Sequence, residues 1–166
     1  MTKPTQANNK VEESSPSPPL TGDAALAATE ILRGVQRLLF DHGIASIAEF
    51  ALANGRRADV CGIATSGDIW IVEIKSSISD FRSDQKWPEY REYCDRLFFG
   101  VAPSFPADIL PPDTGLILAD RFGGEIIKDA PEQRLNSARR KAVTLQFARA
   151  AALRAQMLRD PQKPGT

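Results

Sequence analysis

The sequence predicts an α/β fold, a mixed sheet with an antiparallel three-strand meander flanked by helices. Three observations predict it. A helical repeat near residue 30 runs into strand-like segments separated by tight turns. Further apolar strand-like runs follow after a second helix. A long Ala-, Leu- and Arg-rich stretch closes the chain. Helix, meander, helix, strands, helix is the element order of a sheet covered on its faces, not of a sandwich or a bundle.

The elements follow in order. Residues 1–21, "MTKPTQANNKVEESSPSPPLT", are rich in Pro, Ser, Thr and Asn and cannot bury enough apolar surface to offset chain ordering, so a disordered tail is expected. Ile31, Leu32, Val35, Leu38 and Leu39 recur at helical spacing, with Gly43 as the stop, which predicts a helix over 23–41. Asn54-Gly55 is a two-residue hairpin signal, and Ser66-Gly67 is a second turn. Strands are therefore expected at 44–53, 56–64 and 68–76. A helix begins near Ser79, capped by Ser79 or Asp80, and Pro88 breaks it or starts another turn. "DRLFFGVA" (95–102) reads as a buried strand, "TGLILAD" (114–120) as another, and "GEIIK" (124–128) as a short one. Ser137 to Arg159 is the closing helix, and 161–166 is a flexible tail. One domain, 22–160, holds all of this.

Composition excludes several classes. The chain has 166 residues, 42% hydrophobic and 25% charged, with zero formal net charge. That is enough apolar material for a core without disulfides, and no global field draws the protein to polyanions. Cys61 and Cys94 are the only cysteines and are expected as reduced thiols. Neither a signal peptide nor a membrane span is visible, so a cytoplasmic protein without a membrane partner is expected. The oligomeric state is left open.

The chemistry concentrates in "IVEIKSS" (71–77). Glu73 and Lys75 are two apart on a strand and share a face with Ile69 and Ile71. A three-residue loop at 65–67 would place Asp59 opposite Glu73; a two-residue loop would shift the register by one. On either register two carboxylates are cross-strand neighbours, which repel unless a cation or proton sits between them. Mg²⁺ accepts one or two protein carboxylates plus water and phosphate. Lys75 could orient or deprotonate a water, or neutralise transition-state charge. The bare triplet Glu-x-Lys is common by chance, and a strand-end surface ion pair is its ordinary explanation. The Asp on the adjoining strand is what raises it above that.

"RAD" on the second strand and "EIK" on the third, framed by helix and strand, resemble the PD-(D/E)XK nuclease superfamily, with a restriction-endonuclease-like core. Asp59, Glu73 and Lys75 fall on its Asp, Glu and Lys; Ala58 replaces its Pro. "NGRRADV", "IVEIKSSISDFRSDQKWPEY", "YCDRLFFGVA" and "GLILAD" are similar to the MmcB-like DNA repair protein family over about residues 22–160. The resemblance implies a bacterial DNA repair protein and an Mg²⁺- or Mn²⁺-dependent nuclease that cleaves a DNA phosphodiester. Asp59 and Glu73 would be metal ligands and Lys75 would assist the water. DNA is the implied partner, along with other repair proteins. The alternative is a catalytically silent DNA-binding or adaptor module with the same fold; a protein scaffold with no nucleic acid is a third reading.

Other residues carry weaker expectations. Superfamily members often use an additional acid, and Glu49 is the candidate metal ligand. A strict two-residue hairpin would pair Phe50 with Asp59 and turn Glu49 away unless a bulge intervenes. Glu30 is a weaker candidate. Gln85 and Tyr90 are five apart, which departs from RecB-type relatives. Arg56 and Arg57 are candidates to steer phosphate, or are polar flanks of a hairpin. Lys86 is a candidate phosphate contact, or pairs with Asp80 or Asp84. Residues 134–160 carry seven basic residues against one acid. Arg139, Arg140 and Lys141 crowd a helix amino terminus, where the macrodipole disfavours cations. A bound anion, DNA phosphate above all, would offset that cost. A solvated basic face is the plain alternative.

Overall fold

The structure, a computed structural model, describes residues 22–161. The tail expected at 1–21 and all but Pro161 of the tail expected at 161–166 lie outside the described residues.

Six strands form one sheet in the spatial order of the chain. Strands β1 (Ala45–Ala51), β2 (Arg57–Ile63) and β3 (Ile69–Lys75) make the predicted antiparallel meander. Strands β4 (Arg96–Val101) and β5 (Gly115–Ala119) continue it in parallel, and β6 (Gly124–Lys128) returns antiparallel. Helix α1 (Gly22–Asp41) covers one face, and α3 (Ser137–Arg159) covers the other. Between β3 and β4 lie the short helix α2 (Ile78–Ser83) and a 3₁₀ stretch, Trp87–Tyr93, with Pro88 in its first turn.

Each face has its own core. Beneath α1, Ile31, Val35, Leu38 and Leu39 pack on Val60, Val72, Phe98 and Ile117. The helix approaches the β5–β6 turn so closely that a Cβ on Gly34 would lie 2.0 Å from the Asp120 carbonyl, which demands glycine there. Beneath α3, Val143 and Phe147 pack on Cys61, Ile69, Ile71, Tyr93 and Leu97. Strand β3 is therefore buried on both sides, as a central strand with parallel and antiparallel neighbours should be. Both cysteines are free and buried, as expected, and burial pushes the Cys61 thiol up to about 12.

Two local expectations are corrected. The first hairpin does not turn on Asn54-Gly55 alone. Ala51 opposes Arg57, and the Leu52 amide donates to the Arg56 carbonyl, which leaves a three-residue loop, 53–55. Gly55 takes the left-handed position (φ 81), the conformation that closes three-residue hairpins. Second, α2 is capped by Ser77, whose Oγ accepts from the Asp80 amide at 3.1 Å, not by Ser79 or Asp80. Asp80 instead accepts from the Ser76 amide, tying the end of β3 to the helix. Pro88 starts a further turn, the 3₁₀ stretch from Trp87, which is one of the two roles expected of it, and α2 itself ends at Ser83.

Candidate active site

The second hairpin has the three-residue loop. Ala64 donates to the Asp68 carbonyl, and Val60 opposes Val72. One residue further, Asp59 opposes Glu73. Two hydrogen bonds lock the pair: the Asp59 amide donates to Glu73 Oε1 (3.2 Å), and the Ile74 amide donates to Asp59 Oδ2 (2.8 Å). Asp59, Glu73 and Lys75 line one cavity, bounded by the β1–β2 hairpin, the end of β3, α2 and the first half of α1.

Here charge is buried that an ordinary surface pair would leave in water. Glu73 is 2% exposed and Lys75 3%. Burial, then the charge of Asp59, holds the Glu73 carboxyl well above the usual carboxylate range. Burial also pushes Asp59 up to about 6, although the Ile74 amide and the charge of Lys75 pull the other way. The surface ion pair that explains most Glu-x-Lys triplets is thereby excluded.

A third acid holds Lys75. Its Nζ lies 2.5 Å from Asp84 Oδ2, at the carboxyl end of α2. Burial disfavours the ammonium, but the Asp84 hydrogen bond and the charge of Glu73 outweigh it and raise its pKa. Asp84 is held below the usual range by the same contact, against the opposing effect of burial. Asp84 is a site residue that sequence reasoning considered only as a partner for Lys86. Nothing periodic connects it to Lys75 nine residues earlier; the turn between β3 and α2 makes the contact.

Glu49 also reaches this cavity. The three-residue loop keeps one register along β1 and β2, with Ala48 opposite Val60 and Phe50 opposite Ala58, so Glu49, not Phe50, falls opposite Asp59. A row of three acids crosses three strands. Glu49 is the one non-glycine residue with positive φ (53°) among the described residues. Face alternation breaks at this row. Ile47 and Phe50, three apart, both pack beneath α3. Ala58 packs there too, while Val60, two residues on, packs beneath α1. The Glu49 carboxylate lies 2.5 Å from Arg57 Nε, and its charge contributes to the raised pKa of Asp59.

The basic candidates divide. Arg56 and Arg57 line the cavity, but both hold acids: Arg56 grips Glu89 through two bonds of 2.9 Å, and Arg57 grips Glu49. Lys86 lines the cavity and has no ion-pair partner among the described residues. The cluster at the start of α3 is different from what its charge suggested. Arg140 bonds both oxygens of Asp95 (2.6 and 2.8 Å) and the Gly67 carbonyl. Asp95 is 1% exposed and also accepts from the amides of Ile69 and Leu135. The anion that offsets the crowded cations is thus an internal carboxylate, and Arg140 has no free fork for phosphate. Arg139 lies over the Tyr93 ring at 4.6 Å. Lys141 remains without an ion-pair partner among the described residues and lies outside the lining of the cavity. Glu30 pairs with Arg121, away from the site. Gln85 turns to the Arg82 carbonyl, and only Tyr90 of the pair borders the cavity, donating to the Arg57 carbonyl.

The donors fit a hard divalent cation. Two mutually repelling carboxylates, one buried and one half-buried, are stabilised by a cation between them, and two are what Mg²⁺ commonly takes from a protein. No group of three or more His, Cys, Asp or Glu side chains among the described residues is arranged to hold a metal, so the remaining ligands would be water and phosphate. No helix among the described residues is long and apolar enough to cross a membrane.

Comparison with known proteins agrees with this reading of the fold. Residues 16–162 match a family described as DNA repair protein MmcB-like. A solved structure, the SPO1766 protein of unknown function from Silicibacter pomeroyi, is similar at 47% identity and a TM-score of 0.81. The match covers 84% of this chain and 95% of that one. No curated protein matches.

Proposed function

The chain belongs to the MmcB-like family of DNA repair proteins, and from that premise we propose that it is a divalent-cation-dependent nuclease acting on a DNA phosphodiester. The carrying observation is the opposed pair of half-buried Asp59 and buried Glu73, with the buried Lys75 cation in the same cavity at the end of β3.

Asp59 and Glu73 would hold Mg²⁺ or Mn²⁺, which when bound supplies Lewis-acid polarisation and a more acidic water. The protein's own contribution is electrostatic and geometric. The amides of Asp59 and Ile74 fix the two carboxylates before any ligand arrives, so little reorganisation is left for the reaction. Of the roles open to Lys75, a fixed positive charge fits best. The Asp84 contact keeps it protonated, which makes it a poor base near neutral pH. Its ammonium orients a water and offsets charge developing on the phosphate oxygens. Lys86, without an ion-pair partner at the rim, is suited to a DNA phosphate, as are Arg56 and Arg57 once phosphate competes with Glu89 and Glu49.

The test is cleavage of duplex, single-stranded and branched DNA by purified protein with Mg²⁺ or Mn²⁺. Cleavage of one of these that requires the cation and is lost in Glu73→Gln is expected. Cleavage that survives the substitution would place the activity elsewhere. A second reading, a DNA-binding module of a repair complex, draws on the same two hydrogen bonds, which already occupy one oxygen of each carboxylate. It predicts salt-sensitive DNA binding with no cation-dependent cleavage of any substrate.

A further inference from the structure

Strand β1 is an edge strand, and α3 serves its open edge. Arg154 donates from Nη1 to the Ala48 carbonyl and from Nη2 to the Glu49 carbonyl (2.9 Å). About two turns earlier on the helix, Gln146 donates to the Ala51 carbonyl at 2.6 Å. Successive carbonyls of a regular strand point to opposite sides. Here two successive carbonyls reach one guanidinium. The left-handed backbone of Glu49 (φ 53°) is what brings them together, and a non-glycine residue resists that conformation.

We infer that Arg154 is a positioning residue for the cation site. It acts through Glu49, whose side chain is the outer acid of that site. The planar fork matches two parallel carbonyls in a way that a lysine cannot. With the backbone so held, the Glu49 carboxylate, already placed opposite Asp59 by the strand register, enters the lining shared with Asp59 and Glu73. There its charge deepens the negative potential that attracts a divalent cation, and it holds Arg57 at the rim. Without the fork, the backbone at Glu49 relaxes towards the extended region, and the carboxylate leaves the row. Strain kept at a site and sustained from a neighbouring element is a recurrent arrangement in functional centres. The inference rests on the reading of Asp59 and Glu73 as cation ligands.

The test is Mn²⁺ binding by the full chain without DNA, followed by calorimetry, for wild type, Glu73→Gln, Glu49→Gln, Arg154→Gln, Arg154→Lys and the Glu49→Gln/Arg154→Gln double variant. Supporting residues around a metal commonly contribute about ten-fold or more to affinity. About ten-fold weaker binding is expected for Glu49→Gln and for Arg154→Gln. The double variant should be no weaker than either single one, and Arg154→Lys should not restore affinity. Losses that multiply in the double variant, or an Arg154→Gln protein that binds like wild type, overturn the inference. Loss of binding in Glu73→Gln beside an unaffected Arg154→Gln would sink the positioning role alone. Wild type that binds no Mn²⁺, or Glu73→Gln that binds it like wild type, takes down the cation-site reading and this inference together. Unfolding of cation-free protein gives a second reading should Arg154→Gln fold poorly. Glycine accepts φ 53° without strain, so Arg154→Lys should cost less stability in a Glu49→Gly background than in wild type. An equal cost in both backgrounds also overturns the inference.

Discussion

Asp59→Asn is expected to stabilise the cation-free protein at alkaline pH while removing its function. Asp59 has its carboxyl pushed up to about 6 from an ordinary 3.8, chiefly by burial. A raised carboxyl binds its proton more tightly folded than unfolded. Between about pH 4 and 6 the folded chain carries a proton that the unfolded chain has lost, so stability falls as pH rises through that window. Each tenfold step is worth about 1.4 kcal/mol, so the ionised carboxylate costs roughly 3 kcal/mol above pH 6. Asparagine keeps an oxygen to accept from the Ile74 amide and carries no charge. At pH 8 in chelator the variant should melt up to about 10 °C above wild type. The gap should close as pH falls towards 4, where both forms are neutral. Thermal unfolding followed by circular dichroism at pH 8, 6 and 4.5 measures it. Added Mg²⁺ should raise the melting temperature of wild type and leave the variant unmoved, by mass action on the folded state. A variant less stable than wild type at pH 8 in chelator, or a gap that ignores pH, would refute the claim that this carboxylate is held ionised at the expense of the fold.

Three further outcomes follow from the same geometry. Lys75→Met leaves the part-buried Asp84 carboxylate without its partner and should cost about 2–3 kcal/mol. Lys75→Met/Asp84→Asn should recover most of that in urea unfolding, with cleavage still absent. Arg140→Ala strands the buried Asp95 and should cost about 3–5 kcal/mol in the same assay, with the salt slope of DNA binding unchanged. Lys86→Ala should do the reverse: unfolding unchanged, DNA binding weaker, and the slope of log affinity against log salt shallower by about one.

The difference between Arg140 and Lys86 shows where sequence reading stops. Both are basic residues near a helix, and residue order offered each as a phosphate contact with a plain alternative beside it. Whether an arginine faces phosphate or an internal acid depends on what the fold brings opposite it. Asp95 is forty-five residues before Arg140, and no local pattern connects them. Lys75 and Asp84 teach the same lesson at shorter range. The register of Asp59 and Glu73 was legible because strand periodicity and a Gly-containing turn leave two choices, and both keep the acids adjacent. Glu49 was not legible as a neighbour of Asp59. The choice between a two-residue and a three-residue loop moves every residue of β1 by one, and Asn-Gly alone argues for the shorter loop.

The helices, the meander and the trio Asp59, Glu73 and Lys75 were all readable from residue order, because helix and strand periodicity and tight turns act over a few residues. The burial that drives the carboxylates towards their protonated forms, the left-handed turn at Glu49 and the arginine that sustains it belong to the assembled molecule alone. They arise from contacts between segments as far apart as β1 and α3, about a hundred residues along the chain, where desolvation and hydrogen-bond geometry are set by packing and not by neighbouring sequence.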